Sequence, residues 1–401
     1  PHGEAVAKRP QSLGSRRGGD GSVRRLLNAE LLGRAVGARP MGTPMTAAWR
    51  LKAGGPQGKA AARASVCRKR FALQWIFAFS FALAGGVPST LAEEWDCAST
   101  SGTFERSVDC TMGGEVAVSG DLTVTGKETV YSTLTAASGK RHFKITSGAH
   151  RVSLSWLKMT GGNVGTCYSC RGGSIYVYNV AAHLNISHCV FFNNRASSGG
   201  AIFASGGPAT VYLSDFSSFN QNHASSSGGA VYLYNAKLVD HSSMYNMNTA
   251  GYYGGALYLD YGPFSFFNSS LVSNTAGDVG GGIYIYGDSS SSSFLDMSSV
   301  TLQSNKQIDG GTSGWKGGGG LYLNQKVTAN IRECTFIRNE ATEGSTGNKH
   351  GHQIFTSKSS SLIPSIAIVN TNFTDVSGSH AFYGYDDSGN THSADKYVSP
   401  T

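Results

Sequence analysis

Seven aspartates lie scattered through the middle of the chain: Asp215, Asp240, Asp260, Asp278, Asp288, Asp296 and Asp309. Cleaving a sugar chain needs such groups in pairs, one protonated to supply the leaving oxygen and one ionised to activate water or hold a cation. The only adjacent pair, Asp386 with Asp387, falls in a polar tail, and the positions around the others are Ser, Tyr and Asn. Stacked repeats would bring Asp215 and Asp240 within a few residues' register of one another, so these two are the acids on which catalysis would rest. His183, His188, His223 and His241 follow no ligand spacing and read as solvated surface residues. Cys167 and Cys170 form a CxxC, but a zinc site wants a second pair at proper spacing. The reading therefore assigns no catalytic residue, no metal and no cofactor.

What recurs instead is aromatic. Tyr176, Phe203, Tyr232, Tyr258, Tyr284 and Tyr322 each sit between two aliphatic or small residues just after a glycine pair, as in "GGAVYLY" and "GGALYLD". Aligned on Gly172/Gly173, Gly199/Gly200, Gly228/Gly229, Gly254/Gly255, Gly281/Gly282 and Gly319/Gly320, the phrase returns at intervals of 27, 29, 26, 27 and 38 residues. A second phrase keeps step with it, an aromatic or aliphatic residue followed three positions later by Asn194, Asn222, Asn248, Asn274, Asn305 or Asn339. Two markers on one period identify an internal repeat.

Local alternation decides what the repeat is made of. After each glycine pair, apolar residues recur with period two and are rich in β-branched and aromatic types, which is the strand pattern, and no helical stripe of useful length competes with it. A strand of four or five residues cannot bury its own apolar face, so each repeat must stack on the next. A coil of about 27 residues holds three short strands and three turns, with about 4.8 Å between coils. The chain is thus expected to be all-β, a single parallel β-helix, with Gly and Asn at the bends because both tolerate left-handed backbone. Ile175, Ile202, Val231, Leu257, Ile283 and Leu321 should form one inward file, and Val177, Ala204, Leu233, Leu259, Ile285 and Leu323 another. Period two sends the aromatic file between them outward, where stacked rings could meet sugars or a partner's side chains. Asn194 to Asn339 should form a ladder of amides bonded between coils.

Cys189 and Cys334 share a position five coils apart, roughly 24 Å at that spacing. A disulfide cannot bridge this. The expected disulfide cysteines are Cys97 with Cys110, and Cys167, Cys170 and Cys189, with Cys189 reaching one of the other two and Cys334 free.

Charge separates the ends of the chain. Residues 1–92 hold 15 Lys and Arg against 3 Asp and Glu, while the remaining 309 hold 18 against 22. The net charge of +8 belongs to the leader, and a mildly acidic body gives nucleic acid no basic face. Arg68 to Arg70, the apolar run from Phe71 to about Ala84 and the small residues before Ala92 follow the order of a secretory signal. The alternative is an uncleaved signal anchor, the one route to a membrane in this reading. Residues 1–66 read as a disordered leader, 67–92 as the signal, 93–165 as an amino-terminal cap and first coils, 166–385 as the repeat helix and 386–401 as a polar tail. A start at Pro1 is consistent with a fragment or an over-extended gene model, with Met41 or Met45 as the true start. Secretion favours disulfides and gives the sequons at Asn185, Asn268 and Asn372 a use as glycosylation sites.

The glycine-led phrase and the F-x-x-N phrase resemble the repeats of the polymorphic outer membrane protein family, within the right-handed β-helix, pectin-lyase-like superfamily. The resemblance spans about residues 172 to 355. It implies a right-handed β-helix, secreted or displayed at the cell surface, with a structural, adhesive or carbohydrate-binding role and glycans or cell-surface proteins as partners. The superfamily also holds polysaccharide lyases and glycoside hydrolases, which is the alternative function. The chain departs from the bacterial pattern in showing no evident carboxy-terminal membrane barrel.

Overall fold

A computed structural model describes residues 93–308, 317–342, 352–357, 362 and 364–374, together with the backbone of 382–385 and 391–393. The leader, the signal segment, Asp309 and the Asp386–Asp387 pair lie outside these residues. Every element among them is a strand, and together they build one parallel β-solenoid of about eight turns, about 29 residues apart. None of the described residues forms a helix long and apolar enough to cross a membrane.

Each full coil contributes strands to four stacked sheets. The glycine-led sheet holds Ile175–Tyr178, Ile202–Ser205, Val231–Tyr234, Leu257–Asp260, Ile283–Gly287, Leu321–Gln325 and Ile354–Ser357. A flank sheet follows it around the coil, with His183–Ser187, Thr210–Ser214, Lys237–His241, Pro263–Phe267, Ser293–Ser298 and Val327–Arg332. An asparagine-side sheet comes next, with Val190–Phe192, Ser218–Asn220, Met244–Asn246, Ser270–Val272, Thr301–Gln303 and Thr335–Ile337. Residues 93–165 add earlier strands to the same three sheets. The fourth sheet corrects the expected triangle of three strands. It is a six-stranded row of short elements, from Arg195–Ser198 through Thr249–Ala250 to Glu340–Ala341. Its strands run from two to five residues and carry Ala, Ser and Thr, too short and too polar to announce themselves by alternation.

Parallel pairing is in strict register. Ile175, Ile202, Val231, Leu257, Ile283 and Leu321 pair in turn, as do Val177, Ala204, Leu233, Leu259, Ile285 and Leu323. All twelve lie at or below 1% exposure in one continuous core, where burial of each larger side chain is worth roughly 1.5–3 kcal/mol. Across the core, Phe191, Phe219 and Tyr245 stack with ring centroids 4.7 and 5.0 Å apart.

The backbone register shifts the glycine alignment by one residue in two coils. Ala230, Ala256, Gly282 and Gly320 bond in sequence, so the pairs equivalent to Gly254/Gly255 are Gly280/Gly281 and Gly318/Gly319. Extra glycines in "GGGIY" and "GGGGLY" had hidden the true frame. The two glycines of a pair answer different needs. Gly254 has φ +64°, the left-handed bend that lets the chain enter the strand. At Gly255 the requirement is space, because a Cβ there would stand 2.0 Å from the carbonyl oxygen of Gly281 in the next coil.

Asparagine takes the ladder role expected of it but not the left-handed bend. The left-handed residue at that corner is the one before it: Asn193, Gln221, Met247, Ser273, Ser304 and Arg338 have φ between 49° and 56°. The stack imposes this bend on whatever residue arrives there, at a cost of roughly 1–2 kcal/mol for a residue with a Cβ. Asn itself is kept for its amide.

Candidate functional site

The amides of Asn194, Asn222, Asn248, Asn274, Asn305 and Asn339 form an uninterrupted interior ladder, each residue no more than 3% exposed. In each of the first five, the backbone N–H and the side-chain Nδ2 both donate to the Oδ1 of the Asn one coil on, at 2.8–3.1 Å. The second Nδ2 proton goes to a backbone carbonyl of the coil behind, as from Asn248 to Phe219 O at 2.9 Å. Gly162 N–H donates to the first rung, and the last rung donates to Gln353. Every rung is thereby satisfied without water, which makes this file structural and leaves it no free group for a ligand.

The aromatic file lies outside the core, yet it is no open surface. Its rings stack coil upon coil, with centroids 4.5 Å apart for Tyr232 and Tyr258, 5.0 Å for Tyr258 and Tyr284 and 5.4 Å for Tyr284 and Tyr322. Phe203, Tyr284 and Tyr322 are buried, and Tyr176, Tyr232 and Tyr258 are half-buried. The left-handed glycine is the cause. It swings the preceding residue, Arg171, Tyr253 or Val279, across the ring face, and Val279 packs with Tyr284, Tyr322 and Phe355 as a second, smaller core. Tyr253 stacks on Tyr284 at 5.2 Å. Near the first coils the cover is cationic, with Arg141 4.6 Å from the ring centre of Tyr176 and Arg171 5.0 Å from that of Phe203. The expectation of an exposed ladder is corrected accordingly: period two fixes which side of the strand a ring takes, and only the three-dimensional turn fixes what lies over it.

The open aromatic file is the neighbouring one. Two positions beyond each ladder ring come Tyr178, Ser205, Tyr234, Asp260, Tyr286 and Asn324, all in register. Tyr178 is 43% and Tyr234 39% exposed, and Tyr286 is half-buried. Tyr261, at the turn after Asp260, meets Tyr234 and Tyr286 edge-on at 5.3 and 5.5 Å. Sequence reading passed over this file because its tyrosines alternate with Ser, Asp and Asn; a period of two coils is visible only once the register is known.

Asp260 is the chemically unusual member. It is 5% exposed, its Oδ2 accepts a long 3.5 Å hydrogen bond from Tyr258, and its Oδ1 has no hydrogen-bond partner. Burial, reinforced by the nearby Asp288 carboxylate and opposed by Tyr258, raises its pKa to about 7. Asp288 is driven the other way, well below the ordinary carboxylate range, by hydrogen bonds from Ser290 and from Tyr261, the latter at 2.6 Å. A carboxyl whose folded pKa exceeds its unfolded value destabilises the fold once it ionises, so its share of stability falls between about pH 4 and pH 7 and levels off above. The stability of the natural chain relative to Asp260→Asn should decline across that window, by at most about 4 kcal/mol and less where rim solvent screens the charge. Denaturant titrations of both chains at pH 4.5 and 7.5 measure it; comparing the two removes the opposite slope contributed by His142.

His142 went unremarked in the sequence. It is fully buried between the carbonyls of Leu134 and Thr160, which its Nε2 meets at 2.9 and 3.1 Å, while Nδ1 faces Ser174 Oγ at 3.0 Å. Burial lowers its pKa to about 4, so it is a neutral internal tie.

The remaining sequence candidates are dispersed. Asp240 is sealed in the core, where Tyr245 OH at 2.7 Å and Ser269 Oγ at 3.0 Å donate to it and burial raises its pKa. Asp215 stands exposed on a turn, so the two acids share no surface. His183 and His241 are exposed, His188 stacks on Trp156 at 4.0 Å, and His223 bonds Thr249. No group of three metal-binding side chains occurs among the described residues. Cys97 bonds Cys110, and Cys167 bonds Cys170. Cys189, expected to join the latter pair, is instead a free thiol at 0% exposure, with burial lifting its pKa to about 12; its inward position turns it away from the turn that carries the CxxC. Cys334 is free and buried. Of the sequons, Asn268 and Asn372 are exposed, whereas Asn185 is half-buried with its amide on Ser153.

Comparison with known proteins bears on two consecutive coils. The Chlamydia polymorphic membrane protein repeat matches residues 188–205 and 216–234. Each stretch runs from a left-handed corner through a ladder asparagine and a glycine pair into a glycine-led strand. No curated protein and no solved structure matches the chain. The two matched stretches and the parallel β-solenoid that carries them make this chain similar, over those coils, to the polymorphic membrane protein repeat.

Proposed function

We propose that the solenoid serves outside the cell as a structural and adhesive module, and that its binding face is the file Tyr178, Ser205, Tyr234, Asp260, Tyr286 and Asn324. One observation carries this reading. Along the file a tyrosine recurs every second coil, about 9.6 Å apart at the coil spacing, with a polar residue in each gap. Flat apolar faces alternating with hydrogen-bonding groups suit the faces and rims of sugar rings, or the aromatic and polar side chains of a surface protein. A rigid stack holds such groups at fixed spacing without ordering a loop on binding, which lowers the entropic cost of contact. The likeness of two coils to a polymorphic membrane protein repeat supports display at a surface; the ligand class is inferred from the file alone.

The test is binding of the full chain to a glycan array and to whole cells, beside a Tyr178→Ser, Tyr234→Ser, Tyr286→Ser variant. Retention should drop at least tenfold with only a modest fall in melting temperature, since Tyr178 and Tyr234 are exposed, although Tyr178 stacks on Tyr176 at 5.8 Å and Tyr286 packs against the second core. Equal retention by the variant, or none by the natural chain, would refute the reading.

A further inference from the structure

The aromatic outer face already carries cations of its own at one end. Arg141 and Arg171 lie over Tyr176 and Phe203 at 4.6 and 5.0 Å, and Arg171 also covers Tyr168 at 4.8 Å. A planar guanidinium over a ring face gains from the ring quadrupole, and more when water is excluded. Two to three coils further on the arrangement is reversed. There, Asp260 supplies a carboxylate in place of a cation, in a file of tyrosines and with no positive partner: none of the ion pairs among the described residues includes it. Tyr234 stands one coil before it and Tyr286 one coil after, with Tyr261 edge-on to both.

A carboxylate oxygen that is buried and makes no hydrogen bond costs roughly 1–3 kcal/mol or more, and most buried polar groups avoid that state. Asp260 Oδ1 is in that state. Nothing in the repeat demands an acid at this position, since the equivalent residues are Tyr178, Ser205, Tyr234, Tyr286 and Asn324. The missing partner has to be a donor, preferably charged, and able to lie among aromatic rings. Guanidinium meets all three conditions, and it is the group this protein itself places on the same face.

We propose that Asp260, walled by Tyr234, Tyr261 and Tyr286, is a docking site for an arginine side chain of a partner polypeptide. The guanidinium donates to Asp260 Oδ1 and stacks on the flanking rings, and the ionised Asp288 beside Tyr261 adds long-range attraction. Entry requires one rim ring to turn aside. Tyr234, 39% exposed, is the freest of the three, and rotamer changes of exposed side chains are fast. This deepens the adhesive reading and rests on it only for the existence of a partner; the chemistry of the site can be tested without a cell.

The probe is N-acetyl-arginine methylamide, titrated calorimetrically into the full chain at pH 8, beside N-acetyl-citrulline methylamide, its neutral isostere. Saturable binding of the arginine compound, at least tenfold weaker for citrulline and at least tenfold weaker in Asp260→Asn, is the expected result. The Asn variant keeps the shape of the site, and an unchanged melting temperature certifies its fold; if it misfolds, Tyr234→Leu on the exposed rim replaces it with the same expected loss. Equal binding of citrulline, undiminished binding in a folded variant, or no saturation at millimolar probe would overturn the proposal. Saturable arginine binding by a chain that no cell or glycan retains would sink the adhesive reading alone.

Discussion

Gly255→Ala should cost the fold more than about 4 kcal/mol, and the cause is a single added carbon. The Cβ would stand 2.0 Å from Gly281 O and 2.6 Å from backbone atoms of Thr275, where none of the opposing groups is a flexible side chain that could yield. Relief requires the coils to separate by about 1 Å, which stretches the hydrogen bonds from Ala256 to Gly282 and from Gly255 to Gly280, both 3.0 Å, beyond useful length. Losses of this size come from a short set of mechanisms, and backbone overlap between two packed strands is among the most severe. Because each coil touches only its neighbours, the damage should fall on one interface, and hydrogen exchange should quicken on both sides of it while the first coils stay protected. Gly114→Ala is the control. Nothing lies within 4 Å of its Cβ position, so the change should be neutral or stabilising by up to about 1 kcal/mol. Equal stability of Gly255→Ala and the natural chain in denaturant would show that the coils do not approach as described.

Asn248→Ala should be nearly as damaging, at about 3–5 kcal/mol. The truncation removes four hydrogen bonds at once: two that Asn248 Oδ1 accepts from Asn222 and two that its Nδ2 donates, to Phe219 O and Asn274 Oδ1. The partners are left behind, buried and dry, so each unmet group adds its desolvation cost to the loss of the bond itself. Asn248→Asp tests the chemistry more sharply. The side chain keeps its shape but cannot donate, and it would set an ionised oxygen against Phe219 O, so it should do no better than Ala above pH 5. Asn246→Ser, two positions earlier and half-buried on the outside of its strand, should move stability by no more than about 0.5 kcal/mol. Chemical denaturation of the four chains decides the matter.

How much of this could be read from residues alone follows from what kind of pattern each feature leaves. The inward files were legible because one coil's strand repeats the next in both type and spacing, and burial tolerates only apolar side chains there. Val231 and Leu257 needed no structure to be paired. The fourth sheet was not legible, since two-residue strands such as Thr249–Ala250 have no alternation to detect. Glycine showed its period but not its division of labour; a left-handed bend at Gly254 and a close approach at Gly255 look alike in sequence. The frame error at Gly280 and Gly318 has the same root, because a run of glycines carries no side chain to fix the register. The exposure of the tyrosines was misjudged for a further reason. Whether Tyr284 meets water depends on Val279, five residues earlier, which the bend at Gly280 brings over it. The candidate site lay one file over, where Asp260 interrupts the tyrosines and where only coil-to-coil pairing shows that Tyr234 and Tyr286 flank it.

The central claim is that successive coils lie one strand spacing apart in register. Spin labels at Lys158, Met244 and Thr335 test it directly, since all three belong to one file of the asparagine-side sheet, running through Val190, Ser218, Ser270 and Thr301. Lys158 to Thr335 is six coil steps, and pulsed dipolar spectroscopy on that doubly labelled chain should give a narrow distribution near 29 Å, twice the distance from Lys158 to Met244 at about 4.8 Å per step. A broad distribution, or distances that fail to scale with the number of steps, would contradict the stack and everything built on it.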